Sequence, residues 1–301
     1  MYLCGIIVIT PIAMKKRIIP IILALLCGVF TTFGQSLLWK VSGKKMKSPS
    51  YLYGTIHIQD GRVAAFDSTV FNALYSCEAF AMEVLLDEMD LHGVREAMQM
   101  PKGQLLTDLL SKEDFHLLDS LCKAKLGAGA IFMNNLKPFF IVSALQQADL
   151  PKDQEDALDL FLLKKARESG KTCYGVEEYM DQIKALDAIS LKEQLEILHQ
   201  ILHDTAALFE ETDEMLEAYL AFDLDKLAVM VQDTTLPKKF EKVLVNDRNV
   251  TMAKQFVKIS SKQTVFCAVG AAHLPGEKGV IALLRKKGYT VEPVTFGWLP
   301  R

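Results

Sequence analysis

Two histidines end a short motif that occurs near both ends of the chain. The first motif is GTIH at positions 54–57, which ends in His57, and the second is GAAH at positions 270–273, which ends in His273. Each glycine lies at or near the end of an apolar run, where it permits a sharp turn or the close approach of a ligand. Ligands of open α/β sheets bind outside the carboxyl ends of strands, so the two imidazoles are expected to meet at one site. The alternative for each histidine alone is a hydrogen-bonded structural residue.

A carboxylate interrupts the apolar run AFAMEVLL at positions 79–86. Burial of Glu83 is costly unless the side chain is paired or binds a metal. The alternative is that Glu83 marks the exposed end of the strand, as Asp87 and Glu88 do. With His57 and His273, Glu83 completes a set of three metal ligands that leaves one coordination position open for water. A divalent ion there would lower the pKa of bound water and polarise a carbonyl, so the pattern predicts metal-dependent hydrolysis.

Two further charged side chains are candidates for a catalytic role. Arg248 falls within the apolar i, i+4 row of a helix predicted for 240–259, and a guanidinium there needs an anion, either a carboxylate of the site or a group of the substrate. The alternative is an aliphatic stem that reaches water. Asn249 is expected to point elsewhere on the helix. Glu277 is a candidate base or partner of His273, or else a solvated acid near the start of the next helix.

A second pair of histidines, His199 and His203, is spaced four residues apart on a predicted helix. The glutamate of an H-E-x-x-H motif is missing between them, and the sequence shows no third ligand. They border an apolar stripe, so we interpret them as residues of a helix–helix interface.

The elements that must position these residues alternate in type at both ends of the chain. Strands are predicted for 37–41, 51–58, 79–85, 172–176, 264–269 and 289–294, and the first two are expected to form a hairpin. From about 91 to 245 the pattern is otherwise helical. The sequence therefore predicts an α/β fold, with a central mixed β-sheet flanked by helices and a helical insertion at about 91–245.

The amino terminus has the pattern of a signal peptide. A basic cluster at 15–17 precedes an apolar run at 18–30 and a small-residue exit, and the true start could be Met14. The run is shorter than the roughly 20 residues of a spanning helix, so cleavage is favoured over a permanent membrane span. We therefore expect a signal peptide at 1–35, a single domain at 36–301, and a periplasmic or extracellular location.

The composition argues against several classes of function. The formal net charge is −3, which gives no basic surface for nucleic acid. No C-x-x-C pair suggests a zinc knuckle or a redox site, and no G-x-S-x-G motif suggests a serine nucleophile.

The order of these motifs resembles the TraB/GumN family, which includes the TIKI metalloproteases. The matching segments share glycines, aromatic residues and the site residues, and they are LWK at 38–40, YLYGTIH at 51–57, AME at 81–83, KP at 137–138, GK at 170–171, YGVE at 174–177, RN at 248–249, GAAHLPGEKG at 270–279 and GY at 288–289. The resemblance implies a fold like that of the erythromycin esterase and ChaN group, with the site at one edge of a central sheet.

The resemblance also implies metal-dependent proteolysis with manganese or cobalt as the favoured ion, zinc being a further possibility. By motif match His57, Glu83 and His273 are implied as site residues, and so is Arg248. One segment departs from the family pattern: DALD at 156–159 stands where many relatives have GLD or GVD. The role of Asp159 is therefore left open.

Three functions remain for comparison with the structure. The first is an exported metal-dependent hydrolase, favoured as a peptidase with a peptide or protein substrate. The second is a non-catalytic extracytoplasmic binder of a peptide signal, or of metal or haem. The third is a metal-free esterase in which a histidine or Glu83 is the general base.

Overall fold

Six β-strands form one mixed sheet at the centre of the molecule. The computed structural model describes residues 35–300, with gaps at 44–45, 86–89, 102 and 233–240. The strands are β1 (Leu38–Ser42), β2 (Ser50–Thr55), β3 (Ala79–Met82), β4 (Thr172–Gly175), β5 (Val265–Gly270) and β6 (Thr290–Val294). The predicted α/β class with a mixed sheet is confirmed.

The strand order in the sheet is β4-β3-β5-β2-β1-β6. The first four of these strands run parallel to one another, whereas β1 is antiparallel to both β2 and β6. The predicted hairpin of the first two strands is therefore present. The parallel strand β5 is buried along nearly all of its length, which explains why its sequence, VFCAVG, is continuously apolar rather than alternating. Pro293 lies in the edge strand β6, where a missing N–H is tolerated.

Twelve α-helices accompany the sheet within the described residues. They are α1 (Ser68–Ser76), α2 (Leu91–Met98), α3 (Leu106–Leu109), α4 (Lys112–Leu126), α5 (Pro138–Asp149), α6 (Leu158–Glu168), α7 (Tyr179–Asp187), α8 (Leu191–His203), α9 (Thr205–Leu220), α10 (Leu224–Gln232), α11 (Asp247–Ser260) and α12 (Val280–Lys286).

Local sequence explains where several of these helices begin and end. Ser190 and Glu193 form a reciprocal capping box at the start of α8. Pro138 occupies the first turn of α5, where its missing N–H has no cost. Gly127 ends α4 with φ +72°, and Gly288 follows α12 with φ +88°, so both adopt the left-handed conformation that favours glycine.

The buried apolar side chains form two main cores. One surrounds the sheet and receives α1, α6, α11, α12 and the end of α9. The other lies among the helices of the predicted insertion and is built mainly from α4, α5, α7 and α8. The segment 91–245 therefore contributes to both cores, since α6, β4 and the end of α9 return to the sheet.

The predicted signal peptide at 1–35 lies outside the described residues except for Gln35. The Gln35 side chain donates to Asp225 Oδ2 at 3.0 Å and accepts from the Leu224 backbone N–H at 2.9 Å, at the start of α10. Among the described residues, no helix has both the length and the apolar character needed to cross a bilayer.

Replacement of Gly279 by alanine is expected to destabilise the fold by about 1–3 kcal/mol or more, because the new methyl group overlaps backbone. A Cβ at Gly279 would lie 2.0 Å from the Pro275 carbonyl oxygen and 2.4 Å from that of Leu274. The matched control is Gly297→Ala, because a Cβ there meets its nearest neighbour, Asp67 Oδ2, at 3.8 Å. Urea denaturation measures both variants, and equal midpoints would contradict the prediction.

Candidate active site

Four polar side chains follow the carboxyl ends of the four parallel strands. His57 lies two residues beyond β2, Glu83 directly follows β3, Glu177 lies two residues beyond β4, and His273 lies three residues beyond β5. Since these strands are neighbours and run in the same direction, their carboxyl ends form one edge of the sheet. Residues from distant parts of the sequence are thereby gathered on this edge.

The two glycine–histidine motifs lie directly beside each other. Strands β2 and β5 pair in a register that sets Thr55 opposite Gly270. A Cβ at Gly54 would lie 2.8 Å from Leu274 Cδ1 and 3.1 Å from Ala271 Cα, so only glycine lets the turn after β5 pack this closely on β2. The first glycine is therefore required by packing between the two motifs.

His273 is a buried, neutral imidazole whose tautomer is set by its neighbour. Its Nδ1 lies 2.6 Å from Oδ1 of Asn249, and the Asn249 amide donates through Nδ2 to the Lys278 carbonyl at 3.0 Å. Because the Asn249 amide must present its oxygen to the ring, His273 Nδ1 bears the hydrogen and Nε2 bears the lone pair. Burial lowers the pKa of His273 to about 4, with a further contribution from Arg248, although Glu83 opposes the shift.

The Nε2 atom of His273 is available as a ligand. It is buried, it lacks a hydrogen-bond partner within the part of the chain that the structure describes, and it lies 3.9 Å from Glu83 Oε1. That separation suits an ion between the two atoms, since zinc-type nitrogen and oxygen ligands lie roughly 2.0–2.2 Å from the metal. The donor set at this point therefore fits a divalent cation.

Replacement of Asn249 by leucine is expected to lower the free energy of unfolding by about 1–3 kcal/mol, because buried polar groups lose their partners. These groups are His273 Nδ1–H and the Lys278 carbonyl. The imidazole ¹⁵N spectrum should also report a changed tautomer of His273. Asn246→Leu is the control, because Asn246 donates to Glu241 instead. An unchanged spectrum would show that Asn249 does not set the tautomer.

His57 is held by an aspartate at the start of α6. Its Nδ1 lies 2.8 Å from Asp159 Oδ1, and both side chains are mostly buried. Burial by itself lowers the pKa of His57, but the Asp159 carboxylate, with a smaller contribution from Glu83, raises it above its ordinary value. Asp159, whose role the sequence left open, is thus the partner of the first motif histidine. Glu83 acts electrostatically on both histidines.

Arg248 is bound by two carboxylates. Its Nη2 donates to Glu83 Oε2 at 2.6 Å and to Glu177 Oε2 at 2.7 Å, while Nε lies 3.1 Å from both Glu177 oxygens. The anion expected for Arg248 is therefore a pair of glutamates, and with its side chain 13% exposed the guanidinium does not extend into water. Gln182 donates to both carboxylates at 3.3 Å.

The two glutamates of this cluster have different environments. Glu83 Oε1 accepts the Gly270 backbone N–H at 2.7 Å, in addition to the contact of Oε2 with Arg248. Burial raises the pKa of Glu177, although Arg248 acts in the opposite direction. Two buried carboxylates share one guanidinium, so the fully ionised cluster has a net negative charge, which favours a cation nearby.

The helix that contains Arg248 begins with an irregular turn. A π-helical turn, Lys242–Asn246, directly precedes α11, and Arg248 Nη1 donates to the Leu244 carbonyl at 3.2 Å. Asn249, expected from the sequence to point elsewhere on the helix, contacts His273. Arg248 and Asn249 contact different members of one cluster, the glutamates and His273, so consecutive residues both contribute to the site. π-Turns within helices are frequent at functional sites.

Glu277 differs from the residues of the buried cluster in its exposure to solvent. Its side chain is exposed, whereas Glu83 and His273 are buried. The backbone carbonyl of Glu277 accepts a hydrogen bond from Lys286 Nζ at 2.9 Å. A catalytic role for Glu277 stays a prediction.

The tightest group of potential metal ligands in the described residues lies elsewhere. Asp114, His199 and His203 have ligand atoms within 4.8 Å of one another. His57, Glu83 and His273 are not among the described groups that reach that spacing, and both Glu83 oxygens already accept hydrogen bonds, from Gly270 and Arg248. The sequence showed no third ligand for His199 and His203, and the structure places Asp114, from another helix, against both of them.

Fold and site together define an α/β protein with a buried, charged cluster at the carboxyl edge of its parallel strands. The chain belongs to the TraB/PrgY/gumN family, whose family model matches residues 37–293. The predicted family is confirmed.

Three relatives show how far the similarity extends. The chain is 24% identical to "Metalloprotease TIKI2" of Danio rerio, over 88% of this chain and 63% of the relative. It is 24% identical to "Metalloprotease TIKI homolog" of Nematostella vectensis, over 86% and 67%, and 24% identical to "Metalloprotease TIKI1" of Homo sapiens, over 87% and 62%. The match thus spans about two thirds of the length of these relatives. No solved structure matches the chain.

Proposed function

We propose that this chain is a metal-dependent hydrolase that cleaves peptides or proteins outside the cytoplasm. The observation on which the proposal depends is the buried His273, whose Nε2 lone pair faces Glu83 Oε1 at 3.9 Å. The similarity to proteins named metalloproteases supports the reaction class. The signal-peptide pattern at 1–35 supports export to the periplasm or the extracellular space.

His57, Glu83 and His273 would hold the ion, with manganese or cobalt favoured and zinc as a further candidate. When bound, a divalent ion would polarise the substrate carbonyl and make water a stronger nucleophile. Asp159 and Asn249 hold the Nδ1 atoms of the two histidines, so each ring would present Nε2. Such oxygen partners fix ring orientation and increase the basicity of the ligand nitrogen.

The remaining charged groups of the cluster can move a proton and stabilise charge. Glu83, at the sheet edge beside His273, is the first candidate base, and its carboxylate would accept a proton from water through an oxygen that does not bind the ion. Arg248 would stabilise negative charge on the carbonyl oxygen of the substrate. Glu177 holds the guanidinium in place when a substrate draws Arg248 away from Glu83. Glu277 is the second candidate base, and its exposure makes it the weaker one.

A second function is favoured by one feature of the same cluster. Both oxygens of Glu83 are already engaged, by Gly270 N–H and by Arg248. A binder of a peptide signal, or of metal or haem, could keep this arrangement, because it needs no open coordination position. A hydrolase requires Glu83 to exchange at least one of these partners.

Cleavage of a peptide library should separate the two functions. The purified chain, stripped with a chelator, is expected to be inactive and to regain cleavage when manganese, cobalt or zinc is added. His273→Ala should remain inactive with every ion, whereas His92→Ala should behave as wild type because the His92 side chain is 81% exposed on α2. If the wild type cleaves no peptide with any of the three ions, the binder is favoured instead.

A further inference from the structure

Two helices of the second core meet at a cluster that shares no residue with the sheet-edge site. His199 and His203 lie on α8, and Asp114 lies in the first turn of α4. The Oδ1 atom of Asp114 is 3.1 Å from His199 Nδ1 and 2.9 Å from His203 Nε2. One carboxylate oxygen therefore contacts two imidazoles at once.

The three side chains are fixed by their elements. Residues four apart on a helix lie on the same face, which explains the 4.5 Å separation of the His199 and His203 ring centroids. Asp114 is buried at the start of α4, where its backbone N–H donates to the capping side chain of Ser111. The imidazoles are 58% and 43% exposed, so an ion can reach them from solvent.

We infer that Asp114, His199 and His203 bind a divalent transition-metal ion of the zinc class. Their ligand atoms lie within 4.8 Å of one another, close enough to converge on a single ion. Two imidazole nitrogens and one carboxylate oxygen suit zinc, cobalt, nickel or copper, whereas calcium and magnesium prefer oxygen ligands. Three protein ligands at a half-exposed position leave the fourth site to solvent.

A hydrogen-bonded helix contact is the competing explanation of the cluster. Exposed ion pairs contribute only about 0–1 kcal/mol, so such a contact would add little stability at this position. A metal ion would instead join α4 to α8, two helices that pack in the same core. Any ligand that binds the folded state alone raises the stability of that state with its concentration. The site would thus brace the helical part of the chain, independently of the reaction proposed above.

The test is a titration of the metal-stripped full-length chain with zinc, in which a chromophoric chelator competes for the ion. The wild type is expected to bind one equivalent more than His199→Ala or His203→Ala. Asp114→Asn should lower the affinity for this additional zinc equivalent at least tenfold. His116→Ala, an exposed histidine also on α4, should bind as wild type, which controls for the loss of any surface imidazole.

Two readouts make the result decisive. Zinc should raise the melting temperature of the wild type more than that of His199→Ala and His203→Ala, and cobalt should give visible absorption bands that these two variants lack. Equal zinc stoichiometry and equal melting shifts in the wild type and both histidine variants would overturn the inference. Because His273→Ala should retain this equivalent, failure of the sheet-edge site and failure of this site give different results.

Discussion

Replacement of Arg248 by methionine is expected to lower the free energy of unfolding by about 3–5 kcal/mol, the usual cost of removing one partner from a buried ion pair. The guanidinium lies between Glu83 and Glu177, whose side chains are 11% and 2% exposed. Methionine fills a similar volume but leaves both carboxylates buried without their cation. Urea denaturation of the purified variant measures the loss.

Two companion variants test the reason for this loss. Lys242→Met removes a cation that is 66% exposed and bound to Asp247, so it should cost at most about 1 kcal/mol. Glu177→Gln, added to Arg248→Met, should restore part of the lost stability, because one buried charge is then removed. If Arg248→Met and Lys242→Met have equal unfolding midpoints, the buried cluster is not held by this charge pairing.

Removal of either motif histidine is expected to abolish metal binding at the sheet edge. Loss of an outer partner of a ligand typically costs about 10–100-fold in affinity, and loss of the ligand itself should cost more. We therefore expect His57→Ala and His273→Ala each to lower metal affinity by more than about 100-fold. Elemental analysis after dialysis measures the bound ion.

This measurement must not count metal bound by the cluster of Asp114, His199 and His203. Each variant is made in a chain that already contains His199→Ala and His203→Ala, so that any ion counted belongs to the sheet edge. His92→Ala in the same background is the control. Equal, negligible metal in the control and in both motif variants would remove the metal-dependent proposal, while equal and substantial metal would show that other residues bind it.

The fold was predictable because each strand has a local signature. Apolar runs such as VFCAVG identify buried parallel strands, and a glycine such as Gly288 marks the end of a helix because it adopts the left-handed conformation. The order of strands in the sheet was not predictable, because no local sequence pattern indicates that β5 lies between β2 and β3. The irregular start of α11 was also missed, because a π-turn and an α-turn have similar apolar patterns.

The site was predictable only where a polar residue interrupts an apolar pattern. Glu83 and Arg248 were visible for this reason, and the structure places them in contact. Asp159 could have been found in the same way, because it lies among the buried leucines of α6. Glu177 and Asn249 had no such signal: Glu177 follows a half-exposed edge strand, and Asn249 is one step along the helix from a residue already assigned.

Strand β5 is the middle of the sheet and comes late in the sequence. It pairs with β2 on one side and with β3 on the other. The pair β3 and β4 is therefore not joined to β2, β1 and β6 until β5 has been made. A growing polypeptide that has not yet reached residue 270 therefore lacks both the joining strand and His273. Synthesis from the amino end consequently delays assembly of this edge of the sheet until β5 has been made, and a product that stops before residue 265 would lack both the strand and the histidine.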